Sequence, residues 1–314
     1  MISTINDLKD FSEYDLLVEK SINGTIFHTR KYLLLKKVIK VLCIWDGQKI
    51  FALFPLYGWE NKNYKQLPIE IPYGGVVVIQ KIQGRRDLDK LRNCYDLILK
   101  CLINLYTQID FSIIPYNADV FPFIEAGFVP EVRYTYVLDL RDTRESILMK
   151  MSSNRRRDYK KSLKHLLFLE VCNSKIEINK LLFWVDDNEM KDRLQREMKE
   201  LMEINRGNVI SIYNDRHMLI GQLFLCWDWE CAYVQNIFIE KQFAEYGIST
   251  RLYIEAIWYA KEILHLNRFD FNGSVLGGVE HYYRTFGGKQ KLYFNLHWNK
   301  NHDELRKIDF YDYR

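Results

Sequence analysis

Between Val209 and Ile239 lie three apolar runs, Val209–Tyr213, Met218–Trp227 and Cys231–Ile239, parted only by the polar segments Asn214–His217 and Asp228–Glu230. Short runs rich in β-branched and aromatic residues, bounded by Asn, Asp and charged clusters, predict consecutive strands. Connectors this short leave no room for a crossover, so the three strands must meander antiparallel. After them Gly247 opens a helical pattern reaching about Leu264, followed by a strand Arg268–Phe271, a short helical stretch carrying Glu280 and Arg284, and a last strand from about Lys291 to Trp298. A meander that runs on into helix, strand, helix and strand predicts an α+β (mixed α/β) fold.

The first half has the same order. Residues 5–20 and the segment Thr29–Lys37 have helical spacing, and the strands Val38–Trp45 and Lys49–Trp59 flank Asp46-Gly47, a hairpin signal because both residues tolerate positive φ. The run Val76–Ile79, a long amphipathic helix from about Asp87 to Tyr106, and the strands Ile109–Ile114 and Val132–Leu140 complete a unit. Helices then span about Arg144–His165, with a strand Leu167–Cys172 and a helical stretch Ile176–Asn205 ahead of the meander. The boundary is expected near Arg141, giving domains 1–141 and 142–314, each a mixed, largely antiparallel sheet flanked by helices. No Gly/Ser linker separates them, so a shared interface with a ligand-binding groove is expected.

The formal charge of +4 excludes wholesale nucleic-acid binding, so an anionic partner must meet a local patch. The six cysteines form no CxxC pair and read as reduced core residues. The acidic N-terminal stretch does not read as a signal peptide, and no apolar run is long enough to span a bilayer. A cytoplasmic protein without stable membrane insertion is expected.

Chemistry concentrates in Asp270–Gly288, DFNGSVLGGVEHYYRTFGG, where an apolar strand ends in Asp270 and a polar turn of Asn272, Gly273 and Ser274 leads to Glu280 and Arg284. Such strand ends deliver polar groups to clefts, and the same residue types also serve any turn or cap. Glu280 and Arg284, four apart on a helix, read equally as catalytic groups and as an ion pair. His281 reads as a general base or as an exposed helix residue, and one of Tyr282 and Tyr283 is expected to face the cleft. The run Ser152-Ser153-Asn154-Arg155-Arg156-Arg157-Asp158-Tyr159-Lys160-Lys161 sets cations near a helix start, against its dipole, which suits an anion-binding site, an RNA acceptor stem or a solvated face. Gln242–Ser249 leads from a strand into a helix and contains the single glycine Gly247, so it reads as a pyrophosphate-binding loop or an ordinary helix start. There is no HExxH or Cys/His metal spacing, Walker loop, strand-linked GxGxxG or GxSxG elbow, and no metal is expected.

Asn154–Lys161, Glu255–Ala260 and Asp270–Gly288, with Ile71–Gly75, Ile114–Asn117 and Ala126–Tyr136 in the first half, resemble the FemAB-like (BioF2-like) branch of the GNAT acyltransferase superfamily. The resemblance covers nearly the whole chain. It implies two tandem GNAT-like domains with an acceptor in the interdomain groove, and transfer of an acyl or aminoacyl group to an amine of an amino sugar or cell-envelope (peptidoglycan) precursor. The donor it implies is acyl-CoA or aminoacyl-tRNA. Arg284 stands where the peptidyl members carry lysine, and no coiled-coil arm is inserted. By this likeness Arg284, Asp270 and Glu280 are the expected catalytic residues. Gln235, Asn236, Tyr246, Gly247 and Ser249 are expected at the donor, and Tyr73, Gly74, Tyr116, Tyr134, Arg155, Asn272, Ser274 and Tyr283 at the acceptor. A non-catalytic module that keeps the binding groove is the alternative.

Overall fold

The computed structural model describes residues 2–5, 13–36, 38–57, 63–65, 73–114, 119–172, 178–273 and 277–300. By internal contacts the chain divides into two compact units, Met1–Arg133 with Leu292–Arg314, and Tyr134–Lys291.

In chain order the first part forms β1 (Ile2–Ile5), α1 (Tyr14–Lys20), α2 (Arg30–Leu35), β2 (Val38–Asp46), β3 (Lys49–Tyr57), β4 (Asn63–Lys65), β5 (Val77–Val78), α3 (Arg85–Leu105), β6 (Gln108–Ile113), α4 (Phe121–Glu125) and β7 (Val129–Asp139). Then come α5 (Arg144–Lys150), α6 (Ser153–Ser162), β8 (Phe168–Cys172), α7 (Asn188–Glu203), β9 (Gly207–Tyr213), β10 (Leu219–Trp227), β11 (Cys231–Ile239), α8 (Ile248–Trp258), β12 (Arg268–Asp270), α9 (Gly277–Arg284) and β13 (Lys289–Asn299).

In the first unit β1, β2, β3 and β5 make an antiparallel sheet, while β6 takes β4 in parallel and β13 antiparallel. The helix expected over residues 5–20 begins only at Tyr14, and Ile5 belongs to β1, where it pairs with Val41. β-Branched residues that satisfy a helical pattern also suit a strand, and the edge of β2 decides between them. The expected hairpin forms one residue later than Asp46-Gly47: Asp46 already pairs with Lys49, and the loop is Gly47-Gln48 with Gly47 at φ 61°. Leu91, Tyr95, Ile98 and Leu102 repeat at helical spacing along the buried face of α3. Phe111, Phe123 and Phe128 meet edge-on in the core, with centroids 5.7 to 6.4 Å apart.

The second unit orders its strands β7-β12-β11-β10-β9-β8, antiparallel except for β11 and β12. That one parallel step follows from the crossover through α8. Leu223, Leu225, Ala232, Val234, Phe269 and Phe271 face a core completed by Leu252, Ile254 and Ile257 of α8. Side chains of Thr143, Ser152 and Asp187 cap α5, α6 and α7 by accepting from Ser146, Arg155 and Met190 backbone N–H groups. Among the described residues no helix is long and apolar enough to cross a membrane.

Candidate functional site

The parallel ladder between β11 and β12 covers only Cys231↔Arg268, Ala232↔Phe269 and Tyr233↔Asp270. β12 ends there, while β11 continues to Ile239. Past Tyr233, β11 is therefore paired, among the described residues, on its β10 side alone, and a gap opens in the sheet beside Asp270. On the β10 side the register jumps from Leu225↔Val234 to Phe224↔Asn236, so Gln235 is the extra residue of a bulge. A bulge bends its strand and re-aims the side chains on either side of it. Gln235 Nε2 contacts Cys226 Sγ at 3.5 Å, and Asn236 Oδ1 accepts from the Trp184 indole N–H at 3.2 Å. Both expected donor-site residues thus stand at the gap, partly exposed.

Asp270 is 2% exposed, and its Oδ1 accepts from the Thr135 hydroxyl on β7 and from the Asn272 backbone N–H at 2.8 Å. The chain then turns through two consecutive left-handed residues, Asn272 at φ 66° and Gly273 at φ 68°. Asn and Gly are the two residue types that adopt this region most readily, which explains the polar turn at the strand end. The Asn272 Oδ1 atom is buried and accepts no hydrogen bond from the described residues. An unsatisfied buried acceptor costs about 1–3 kcal/mol, and a ligand N–H would relieve it.

Glu280 on α9 accepts from the Tyr136 hydroxyl on β7, which in turn accepts from Gln290 Nε2 at 3.1 Å. Burial, reinforced by the Glu280 carboxylate, raises the Tyr136 pKa, so the phenol stays protonated and donates. Arg284 lies 3.7 Å from Glu280, and its guanidinium contacts His281 Nδ1 at 3.0 Å. Its side chain is 58% exposed against 28% for Glu280. The helix therefore makes the ion pair that its spacing allows and leaves the arginine facing solvent.

The two tyrosines of α9 both pack on α8. Tyr282 shares hydrogen bonds with Ser249 and Thr250 hydroxyls at 2.8 and 3.1 Å, while Tyr253 donates to Tyr283 at 3.2 Å. Arg155 of α6 joins this cluster: it donates to Thr250 at 2.8 Å, pairs with Asp158 at 3.1 Å, and stacks over the Tyr282 ring at 4.3 Å. Gly247, at φ 77°, precedes α8, and a Cβ on it would lie 3.1 Å from the Asp158 carbonyl carbon and closer still to its oxygen. Its lack of a side chain is thus required by the approach of α6 as well as by its backbone angle. Tyr246 stacks edge-on against His165 with centroids 4.5 Å apart.

Of the expected acceptor residues, Tyr73 and Gly74 lie in the first unit. Tyr73 is buried beside Tyr293 at 5.4 Å, and Gly74 donates its N–H to the Ser112 carbonyl at 3.1 Å. Tyr134 is 41% exposed on β7 of the second unit. Tyr116 and Ser274 lie outside the described residues. Among the described residues no group of three or more His, Cys, Asp or Glu side chains is placed to hold a metal.

No family model and no curated protein matches the chain. Solved structures do. FemX aligns over 98% of this chain and 99% of its own, with a TM-score of 0.66 at 12% identity. The fold is a FemAB-like tandem GNAT fold. A tandem GNAT protein from the clavulanic acid biosynthesis pathway covers 95% of this chain and 98% of its own at TM-score 0.54 and 9% identity. L-PGS from Bacillus licheniformis covers 93% and 92% at TM-score 0.52 and 12% identity. Within this GNAT-like unit the structure adds four polar residues to which the sequence assigned no site role: Thr135, Tyr136, Thr250 and Gln290. Thr135 and Tyr136 are adjacent on a strand and so point to opposite faces, one toward Asp270 and the other toward Glu280.

Proposed function

We propose that the chain is an N-acyltransferase that moves an acyl or aminoacyl group to the amine of an amino sugar or cell-envelope precursor. The observation that carries this reading is the parting of β11 and β12 at Tyr233↔Asp270, with the Gln235 bulge on one side and the unsatisfied Asn272 amide oxygen near the end of the other. An activated carbonyl laid along the free edge of β11 meets backbone N–H groups, the usual stabilisers of a tetrahedral oxyanion. The Asn272 oxygen accepts from the attacking amine and orients its lone pair. As the C–N bond forms, the amine proton passes to Glu280, and the bond from the carbonyl carbon to the donor's sulfur or oxygen breaks. The leaving thiolate or alkoxide takes up a proton from solvent. Tyr136 positions Glu280, Asp270 holds the turn that carries Asn272, and Arg284 adds positive potential.

Acyl-CoA and aminoacyl-tRNA are both donors of the required chemistry. The experiment is a thermal-shift titration with acetyl-CoA, longer acyl-CoAs, free CoA and aminoacyl-tRNA, followed by transfer assays on an amine panel that includes glucosamine and peptidoglycan precursors. Glu280→Gln is expected to lower transfer about a hundredfold or more while leaving the unfolding midpoint unchanged. Failure of every donor to stabilise the fold, together with no transfer, sinks the proposal. Stabilisation by an acceptor amine without turnover supports the binding module instead, a reading favoured by the engagement of Gly247 and the Ser249 hydroxyl in packing α8.

A further inference from the structure

We propose that the surface formed by α6 and β8 docks on an anionic phospholipid bilayer, independently of the transfer reading. Arg157, Lys160, Lys161 and Lys164 recur at spacings of three and four, so they line one side of α6 and its C-terminal turn. All four are exposed, and none has an ion-pair partner among the described residues. They differ in this from Arg155 and Arg156, which the fold uses internally: Arg155 on Thr250 and Asp158, Arg156 on the Met149 and Met151 carbonyls. Between Tyr159 and Cys172 the single carboxylate is Glu170.

The cationic stripe runs directly into apolar side chains that the fold leaves in water. Leu163 is 52% exposed, Leu166 69%, Phe168 41%, Leu169 44% and Val171 38%. Among the described residues β8 is the last strand of its sheet, bonded to β9 alone. Edge strands are ordinarily blunted with charge, proline or a short length; β8 instead shows apolar groups on both of its faces. Phe168 stacks on His217 at 5.0 Å, which extends the patch to the β9–β10 turn, where Met218 is 45% exposed.

The combination selects the occupant. A nucleic acid would use the cations and leave the leucines in water, and an apolar protein groove would leave four charges uncompensated. A bilayer with anionic headgroups takes the cations at the phosphate level and the apolar side chains at the acyl boundary. The density of basic residues along one helix side, followed without a break by unpaired aliphatic ones, is the composition of an interfacial contact and not of a spanning segment.

The test is co-sedimentation of the full chain with vesicles of phosphatidylcholine alone and with vesicles of equal parts phosphatidylcholine and phosphatidylglycerol. Pelleting with the mixed vesicles and not with pure phosphatidylcholine is expected. Affinity should fall about fivefold for each cation removed, so the triple variant Lys160→Gln, Lys161→Gln, Lys164→Gln loses about a hundredfold. The triple variant Leu166→Ser, Phe168→Ser, Val171→Ser, tested on the same vesicles, loses at least about tenfold. These six side chains are exposed, so both variants should keep the wild-type unfolding midpoint, which is measured alongside. No pelleting with the anionic vesicles overturns the proposal, as does pelleting that neither variant weakens. Displacement of the protein from vesicles by duplex RNA, with RNA affinity unaffected in the apolar variant, reassigns the stripe to nucleic acid and also overturns it.

Discussion

Replacing Gly247 by alanine separates the two roles open to a glycine before a helix. If its purpose is to let a pyrophosphate approach, the free protein should tolerate a methyl group there. The geometry says otherwise. At φ 77° an L-residue is strained, and the methyl group would overlap the Asp158 backbone, which is not the end of a flexible side chain and can yield only by moving α6. Left-handed strain contributes about 1–2 kcal/mol. Forcing packed backbone apart adds about 1–3 kcal/mol, for a loss of roughly 2–5 kcal/mol in all. The displacement also pulls on the bond from Arg155 to Thr250, because that bond joins the same two helices. Ser249→Ala is the control: it lies two residues on, in the first turn of α8, and removes the hydrogen bond to Tyr282, worth about 1 kcal/mol. Urea unfolding followed by circular dichroism measures both variants. A Gly247→Ala protein no less stable than Ser249→Ala would refute the packing argument, and the same result with loss of acyl-CoA binding would return the glycine to the donor.

Asp270→Ala leaves the Thr135 hydroxyl and the Asn272 N–H unpaired in the interior and should destabilise the second unit by about 2–4 kcal/mol, with Thr135→Val offsetting part of the loss in a double-mutant cycle. In the first unit, burial pushes the His28 imidazole down to about 4 from 6.5, with the Gly74 backbone opposing the shift. Its folded pKa is depressed, so the unfolded chain binds the proton first as pH falls. Stability is intact above pH 6.5 and declines toward pH 4, by up to about 3 kcal/mol. Urea midpoints of wild type and His28→Gln across this window should converge on acidification, and parallel profiles would rule the histidine out as the cause.

Element identity was readable because it is local. The meander, the helix after Gly247 and the amphipathic α3 are written in periodicities that span a few residues. Readable too were Asp270, Asn272 and Glu280, since a strand end followed by a turn and a short helix announces itself in order along the chain. Their partners were not: Thr135 meets Asp270 across 135 residues, Tyr136 meets Glu280 across 144, and Arg155 meets Thr250 across 95. Arg155 shows the limit clearly, because it is one of three consecutive arginines, and only the helix packing shows that it bonds Thr250 while Arg157 faces solvent.

The sequence by itself determined the α+β class, the order of strands and helices from β7 onward, and the polar turn after Asp270. Tertiary structure alone decided that Ile5 is a strand residue, that β13 pairs with β6, that Gln235 bulges, and that β11 and β12 part at Asp270. The physical reason is that backbone propensity and apolar spacing act over one or two turns. Register, bulges and strand parting are set by which distant surfaces bury each other, and a segment that suits two conformations takes the one its neighbours stabilise.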